Sequence, residues 1–207
     1  YSRMDSGGLA LTIRRHQTPE SLLQAIEDCH AMVRAFEYAI DAPWERAAEI
    51  GELRMIPAPI TGFPILEGRL SGCELTVCVR KIDPEENSDV QTFVHIDLPP
   101  FVPDWMLSTS CRGQGLRTGN PILDSCVYVE SRDDDARVLW WLQDADLAVR
   151  LVGLMGAHPT TRIDGEGLLV TLVGDAGPML PELIEDLDEF VGSLHRLQEA
   201  ESRETHS

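Results

Sequence analysis

The sequence predicts an α+β fold: a meandering antiparallel sheet with helices packed on it and an amphipathic helix at either end. Three observations carry that expectation. Apolar residues recur at spacings of three and four between Leu22 and Ile40, and again between Leu180 and Leu197, which is the period of a helix with one buried stripe. Between Leu53 and Val129 the chain breaks into short runs rich in β-branched and aromatic residues, punctuated by Gly, Pro and Asn-Ser. Strand-like and helical runs do not alternate one by one, which argues against a parallel sheet built from βαβ units.

In chain order, Leu9–Ile13 reads as a short strand leading to Thr18-Pro19-Glu20, where threonine caps a helix and proline fits its first turn. Leu22, Ile26, Cys29, Val33, Phe36 and Ile40 form the apolar stripe of that helix. Pro43-Trp44 opens a further helical turn through Ile50, which Gly51 ends. Strands are expected near 53–56, 65–70, 73–81, 91–98, 104–109 and 125–131. From Cys73 to Val79 the odd positions are apolar, whereas Glu74, Thr76 and Arg80 are polar, so one face is buried and the other wet. Ser71-Gly72 reads as a tight hairpin turn.

Ser131 is read as the N-cap of a helix whose first turn carries Asp133, Asp134 and Asp135, carboxylates that complement the helix dipole. That helix runs to Leu142, restarts at Asp144 and stops at Gly156. Thr161–Ile163 and Leu168–Val173, joined by Asp164-Gly165-Glu166-Gly167, read as a hairpin. The last helix presents Leu180, Leu183, Leu187, Phe190 or Val191, Leu194 and Leu197 as its stripe. With no internal repeat and no long linker, residues 1–200 are expected to form one domain and 201–207 a polar tail.

Composition bounds the function. The chain carries 35 acidic and 17 basic side chains, a formal charge of −18, and the acidity is spread over both halves. Such a field repels phosphate backbones and anionic headgroups, so nucleic acid is excluded as the expected partner in favour of a cationic or neutral protein. Arginine supplies every basic residue except Lys81, a bias that points to a GC-rich coding genome. Cys29, Cys73, Cys78, Cys111 and Cys126 are an odd set in a chain too large to need staples, and they read as free thiols in a reducing compartment. Cys29 falls on a helix face, and Cys73, Cys78 and Cys126 in strand-like runs. No stretch approaches the ~18 apolar residues of a membrane span, and no signal-peptide pattern opens the chain. The expected location is cytoplasmic, with an upstream anchor or signal left open.

The six histidines, His16, His30, His95, His158, His195 and His206, fall in no metal-ligand spacing, so neither metal nor cofactor is expected. His95, within Thr92–Asp97, reads as a polar residue on the wet face of a strand. Paired in space with Cys111 it would serve an enzyme whose site is assembled from distant loops. Gly113-Gln114-Gly115 lacks the lysine of a phosphate loop, and Asn120-Pro121 interrupts the helix such a loop would need. The Asp133–Asp135 triplet lacks the central glycine of a calcium loop.

Pro43-Trp44-Glu45-Arg46-Ala47-Ala48, then Leu66-Glu67-Gly68-Arg69-Leu70-Ser71-Gly72, then Val127-Tyr128-Val129 with Ser131, Asp135-Ala136-Arg137 and Leu139, together resemble a set of uncharacterised bacterial proteins common in GC-rich genomes. The resemblance covers residues 20–200. It implies an antiparallel sheet with packed helices, sometimes carried behind a transmembrane anchor, and it assigns no activity. The order of elements and the acidity also resemble type III secretion chaperones, typically dimers that hold a client chain, although the sheet region here is longer.

The functional expectation is a non-catalytic protein-interaction or scaffold domain, because charged residues fall at helix ends and outer faces without converging in one motif. The alternatives are an acidic, secretion-chaperone-like client binder and the Cys111–His95 enzyme. The candidate contact residues are Trp140 and Trp141, within the run Val138-Leu139-Trp140-Trp141-Leu142. At ~100° per residue Trp140 falls opposite Val138, Leu139 and Leu142, and Trp141 on the flank, so Trp140 is either covered by the first or last helix of the same domain or the anchor for a partner or a second copy in a homodimer.

Overall fold

The computed structural model describes residues 2–5, 8–11, 42–56, 64–81, 90–109, 115–174 and 176–204. The chain divides into two compact units, Tyr1–Pro43 and Trp44–Ser207. In the first, β1 (Ser2–Asp5) and β2 (Gly8–Leu11) pair antiparallel, with Ser2 opposite Leu11 and Asp5 opposite Gly8. The strand expected at Leu9–Ile13 is thus found at Gly8–Leu11, while the helix expected over Leu22–Ile40 lies outside the described residues.

The second unit is the α+β fold the sequence predicts. Residues 42–50 are helical (α1), with Trp44 and Ala47 buried, and Gly51 turns the chain into β3 (Glu52–Ile56). An antiparallel meander follows through β4 (Ile65–Leu70), β5 (Cys73–Lys81) and β6 (Val90–Ile96). At the β4–β5 turn Ser71 and Gly72 both take positive φ, 48° and 86°. Positive φ at both central residues gives the mirror-image turn whose twist matches that of the paired strands.

The meander then stops. Pro99, Pro100 and Pro103 carry no N–H for a ladder, and β7 (Trp105–Ser108) lands away from β6. It pairs with β8 (Tyr128–Ser131) at the far edge. The later hairpin of β9 (Arg162–Asp164) and β10 (Gly167–Val173) fills the gap, giving the eight-stranded order β3-β4-β5-β6-β10-β9-β7-β8, antiparallel throughout. Thr92 ties this junction together. Its hydroxyl donates to the Gly174 carbonyl at 2.8 Å and accepts the Ala176 N–H at 3.1 Å.

Two local expectations are corrected. Residues 125–131 are not one strand: Leu123–Cys126 form a helical turn (α2), capped by Asn120 Oδ1, which accepts the Ile122 and Leu123 N–H groups. Cys126 accordingly lies exposed on that turn and not in a strand. Ser131 does not cap the next helix either. α3 (Asp135–Leu142) is capped by Asp134, which accepts the Ala136 N–H, and α4 (Ala145–Ala157) by Asp144, which accepts the Leu147 N–H at 2.9 Å. After a short 3₁₀ turn at Gly177–Met179, α5 runs from Leu180 through Glu204, so that it takes in the first four residues of the expected polar tail.

The core lies on one side of the sheet. Leu66, Leu70, Leu75, Val77, Val94, Ile96, Leu107, Ile163, Leu168 and Val170 point inward with at most 1% exposure. They meet Val138, Trp141 and Leu142 of α3, Leu147, Leu151 and Leu154 of α4, and the α5 stripe of Leu183, Ile184, Leu187, Phe190, Val191 and Leu194. Each such side chain contributes about 1.5–3 kcal/mol on burial. Fixed in this way, one sheet face is spent on packing and the other is left outward.

Candidate functional site

The outward face is built by register. Alternation sends Glu52 and Arg54 of β3, Glu67 and Arg69 of β4, Glu74, Thr76, Cys78 and Arg80 of β5, and Gln91, Phe93 and His95 of β6 to that side, opposite the buried set. Strand pairing then sorts them into rows. Glu52 lies opposite Arg69, which lies opposite Glu74, and Arg54 lies opposite Glu67. Opposite charges therefore face each other across strands, with Arg69 and Glu74 4.0 Å apart and well exposed.

Beside this checkerboard runs an apolar row. Ile56 is opposite Ile65, Cys78 is opposite Phe93, and Phe93 is opposite Thr171 of β10. Ile65 lies one step beyond the Leu66–Val77 pair, which brings it level with Cys78. Ile56, Ile65, Cys78 and Phe93 are all half-buried. The Arg80 guanidinium lies over the Phe93 ring, 5.6 Å from its centroid. At the end of β10, Val173 is 89% exposed.

His95 is on this face, as the sequence reading has it. Its Nδ1 lies 3.4 Å from Asp97 Oδ1, and it borders a shallow cavity of about 180 Å³ with Arg162, Asp164, Glu166, Gly167 and Leu169. Arg162 is engaged by Asp164 at 2.9 Å. Cys111, the thiol that the enzyme alternative pairs with His95, lies outside the described residues. A second cavity of about 200 Å³ adjoins α2 and is lined by Arg117, Asp124, Cys126 and Tyr128 among others. There Asp124 is committed to the loop: burial pushes its carboxyl up, but the Thr118 N–H and hydroxyl and the Gly119 N–H together hold it below its ordinary range. Among the described residues no group of three or more His, Cys, Asp or Glu side chains gathers as a metal ion requires, and no helix is long and apolar enough to cross a membrane.

The two candidate tryptophans part company. Trp141 is fully buried, tilted 31° to Phe101 at 6.3 Å and edge-on to Trp105 at 6.2 Å, so it belongs to the core and not to the flank of α3. Trp140 is half-buried at the rim of the core and edge-on to Trp141. Of the pair, Trp140 alone retains surface.

Fold and surface together define an α+β domain with a helical layer on one side of an antiparallel sheet and a patterned face on the other. No family model, no curated protein and no solved structure matches the chain. Sequence reasoning missed the apolar row as a unit. Alternation places Cys78 and Phe93 on the wet side, but their alignment with Ile56 and Ile65 requires the register of four strands.

Proposed function

We propose that this chain is a non-catalytic protein-interaction domain and that the outward face of β3 to β6 is its docking surface. The observation that carries the reading is the apolar row Ile56–Ile65–Cys78–Phe93 lying directly beside cross-strand Arg and Glu pairs. An apolar centre supplies affinity and a polar border supplies registration, which is the anatomy of protein interfaces. Phe93, with Arg80 against its ring, is the anchor of this surface.

The charge pattern favours a protein surface over a strongly cationic client at this face. Between β3 and β6 the outward side chains include Glu52, Glu67 and Glu74 against Arg54, Arg69 and Arg80, and so balance. The chain's acidity concentrates elsewhere, on α5 for example, with eight carboxylates and two arginines. A photo-crosslinking residue placed at Phe93 and expressed in the native host should yield an adduct with a polypeptide of discrete mass, whereas the same residue at Val149, exposed on α4, should yield none. Equal labelling from both sites would sink the reading.

A further inference from the structure

We infer that the occupant of the outward face is a second copy of this chain, joined face to face about a two-fold axis; this rests on the reading of that face as a docking surface. Two molecules that each carry −18 repel one another wherever their acidic surfaces meet. The outward face of β3 to β6 escapes that penalty because its arginines and glutamates balance.

The same face is self-complementary. An isologous contact requires one patch to match itself after a half-turn, so each donor row must find its acceptor on the other copy. The alternation Glu52–Arg69–Glu74 and Arg54–Glu67, together with Arg80, offers three carboxylates and three guanidiniums on each side. The row of Ile56, Ile65, Cys78 and Phe93 supplies the apolar surface that drives closure. Five strands, β3 to β6 and β10, span about 24 Å, and the runs that face outward are about 20 Å long. Side-chain relief raises the area of that plane toward the ~800 Å² per partner of a standard interface. On the helical side, α5 would set carboxylates against carboxylates.

The experiment is sedimentation equilibrium of the full chain over a wide concentration range, joined to maleimide labelling of Cys78 in a background where Cys29 and Cys111 are serine. Exposed Cys126 serves as the internal standard, and Cys73 is buried. The wild type should dimerise, with Cys78 labelling slowing as dimer forms while Cys126 labelling does not change. Phe93→Glu should weaken dimerisation by 100-fold or more, and Val149→Glu, on the helical side, should leave it unchanged. A dimer broken by Val149→Glu but not by Phe93→Glu would overturn the inference. So would a chain that stays monomeric with Cys78 freely labelled, although the docking surface would then stand open to another protein. A monomer whose Cys78 is protected, or in which Phe93→Glu lowers the melting temperature, would overturn both the inference and the function on which it rests.

Discussion

Removing the guanidinium of Arg137 tests the argument that the C-terminal end of α5 is part of the fold. Arg137 Nε bonds Glu201 Oε1 at 2.7 Å, one terminal nitrogen bonds the Phe101 carbonyl at 2.6 Å, and the other bonds Asp133 at 2.9 Å. It thereby ties α3, α5 and the proline-rich turn before β7. Arg137→Met keeps the apolar stem and deletes these bonds together with a fourth, from the nitrogen on Phe101 to Glu201 Oε2 at 3.3 Å. The Glu201 pair is partly exposed, 31% and 26%, and on that account contributes about 0.5–1 kcal/mol. The bond from a charged donor to the Phe101 carbonyl contributes about 1.5 kcal/mol, the low end of its class because water can replace it. The exposed Asp133 arm is left out of the sum. A loss of about 2 kcal/mol is expected in urea unfolding followed by tryptophan fluorescence, with a fall in melting temperature of roughly 4–8 °C.

The pH dependence of that loss has a definite sign. The hydrogen bond from Arg137 is the largest influence on Glu201 and holds its carboxyl below the ordinary range, with burial opposing. A carboxyl whose folded pKa is depressed adds stability that is fully present above the unfolded value, about 4.3, and is lost as pH falls through the folded one. The gap between wild type and Arg137→Met should be full at pH 7 and should narrow below about pH 4.3. In a double-mutant cycle with Glu201→Gln the coupling should be only the ~0.5–1 kcal/mol of that pair, the remainder of the Arg137 effect persisting through the Phe101 carbonyl. A loss below about 0.5 kcal/mol at pH 7, or a gap that stays constant into acid, would refute the account.

Trp141→Ala should cost about 3–5 kcal/mol in urea unfolding, the range for emptying a packed tryptophan site, while Trp140→Ala should cost less than half as much because its side chain is only half-buried. Equal losses would place Trp140 in the core. Gly167→Ala should lose about 1–3 kcal/mol or more, since a Cβ there meets the Ile96 carbonyl oxygen at 2.4 Å with φ at +145°, whereas Gly72→Ala strains only φ and should cost less. The reverse order in thermal melts would count against this register of β6 and β10. Burial holds the His158 imidazole below its ordinary pKa, against the carboxylates of Asp186 and Glu182, which pull it up. The unfolded chain therefore takes a proton there first, and stability complete above about pH 6.5 should erode as pH falls through the lowered folded value. His158→Gln should flatten that part of the stability profile, and an unchanged slope between pH 7 and 5 would contradict it.

The features legible before folding are local ones. Alternation along Cys73–Arg80 set which side chains turn inward, the Ser71-Gly72 pair set a hairpin, and the spacing of Leu183, Leu187, Phe190 and Leu194 set the buried stripe of α5, because each depends on backbone geometry within a few residues. Residues close in the chain also betrayed the β9–β10 hairpin, through the glycines at its turn. Tertiary structure alone decided that this hairpin would lie between β6 and β7, since an antiparallel edge accepts any strand of matching pattern and no local signal says which. It also decided that Trp141 and not Leu139 would fill the core beside Val138, a choice made by the ring-sized space that Phe101 and Trp105 leave against α3. The candidate surface belongs to the same category. Ile56, Ile65, Cys78 and Phe93 come from four strands separated by turns and loops, and they become one row only when hydrogen-bond register across the sheet has been chosen by the packing of its opposite face.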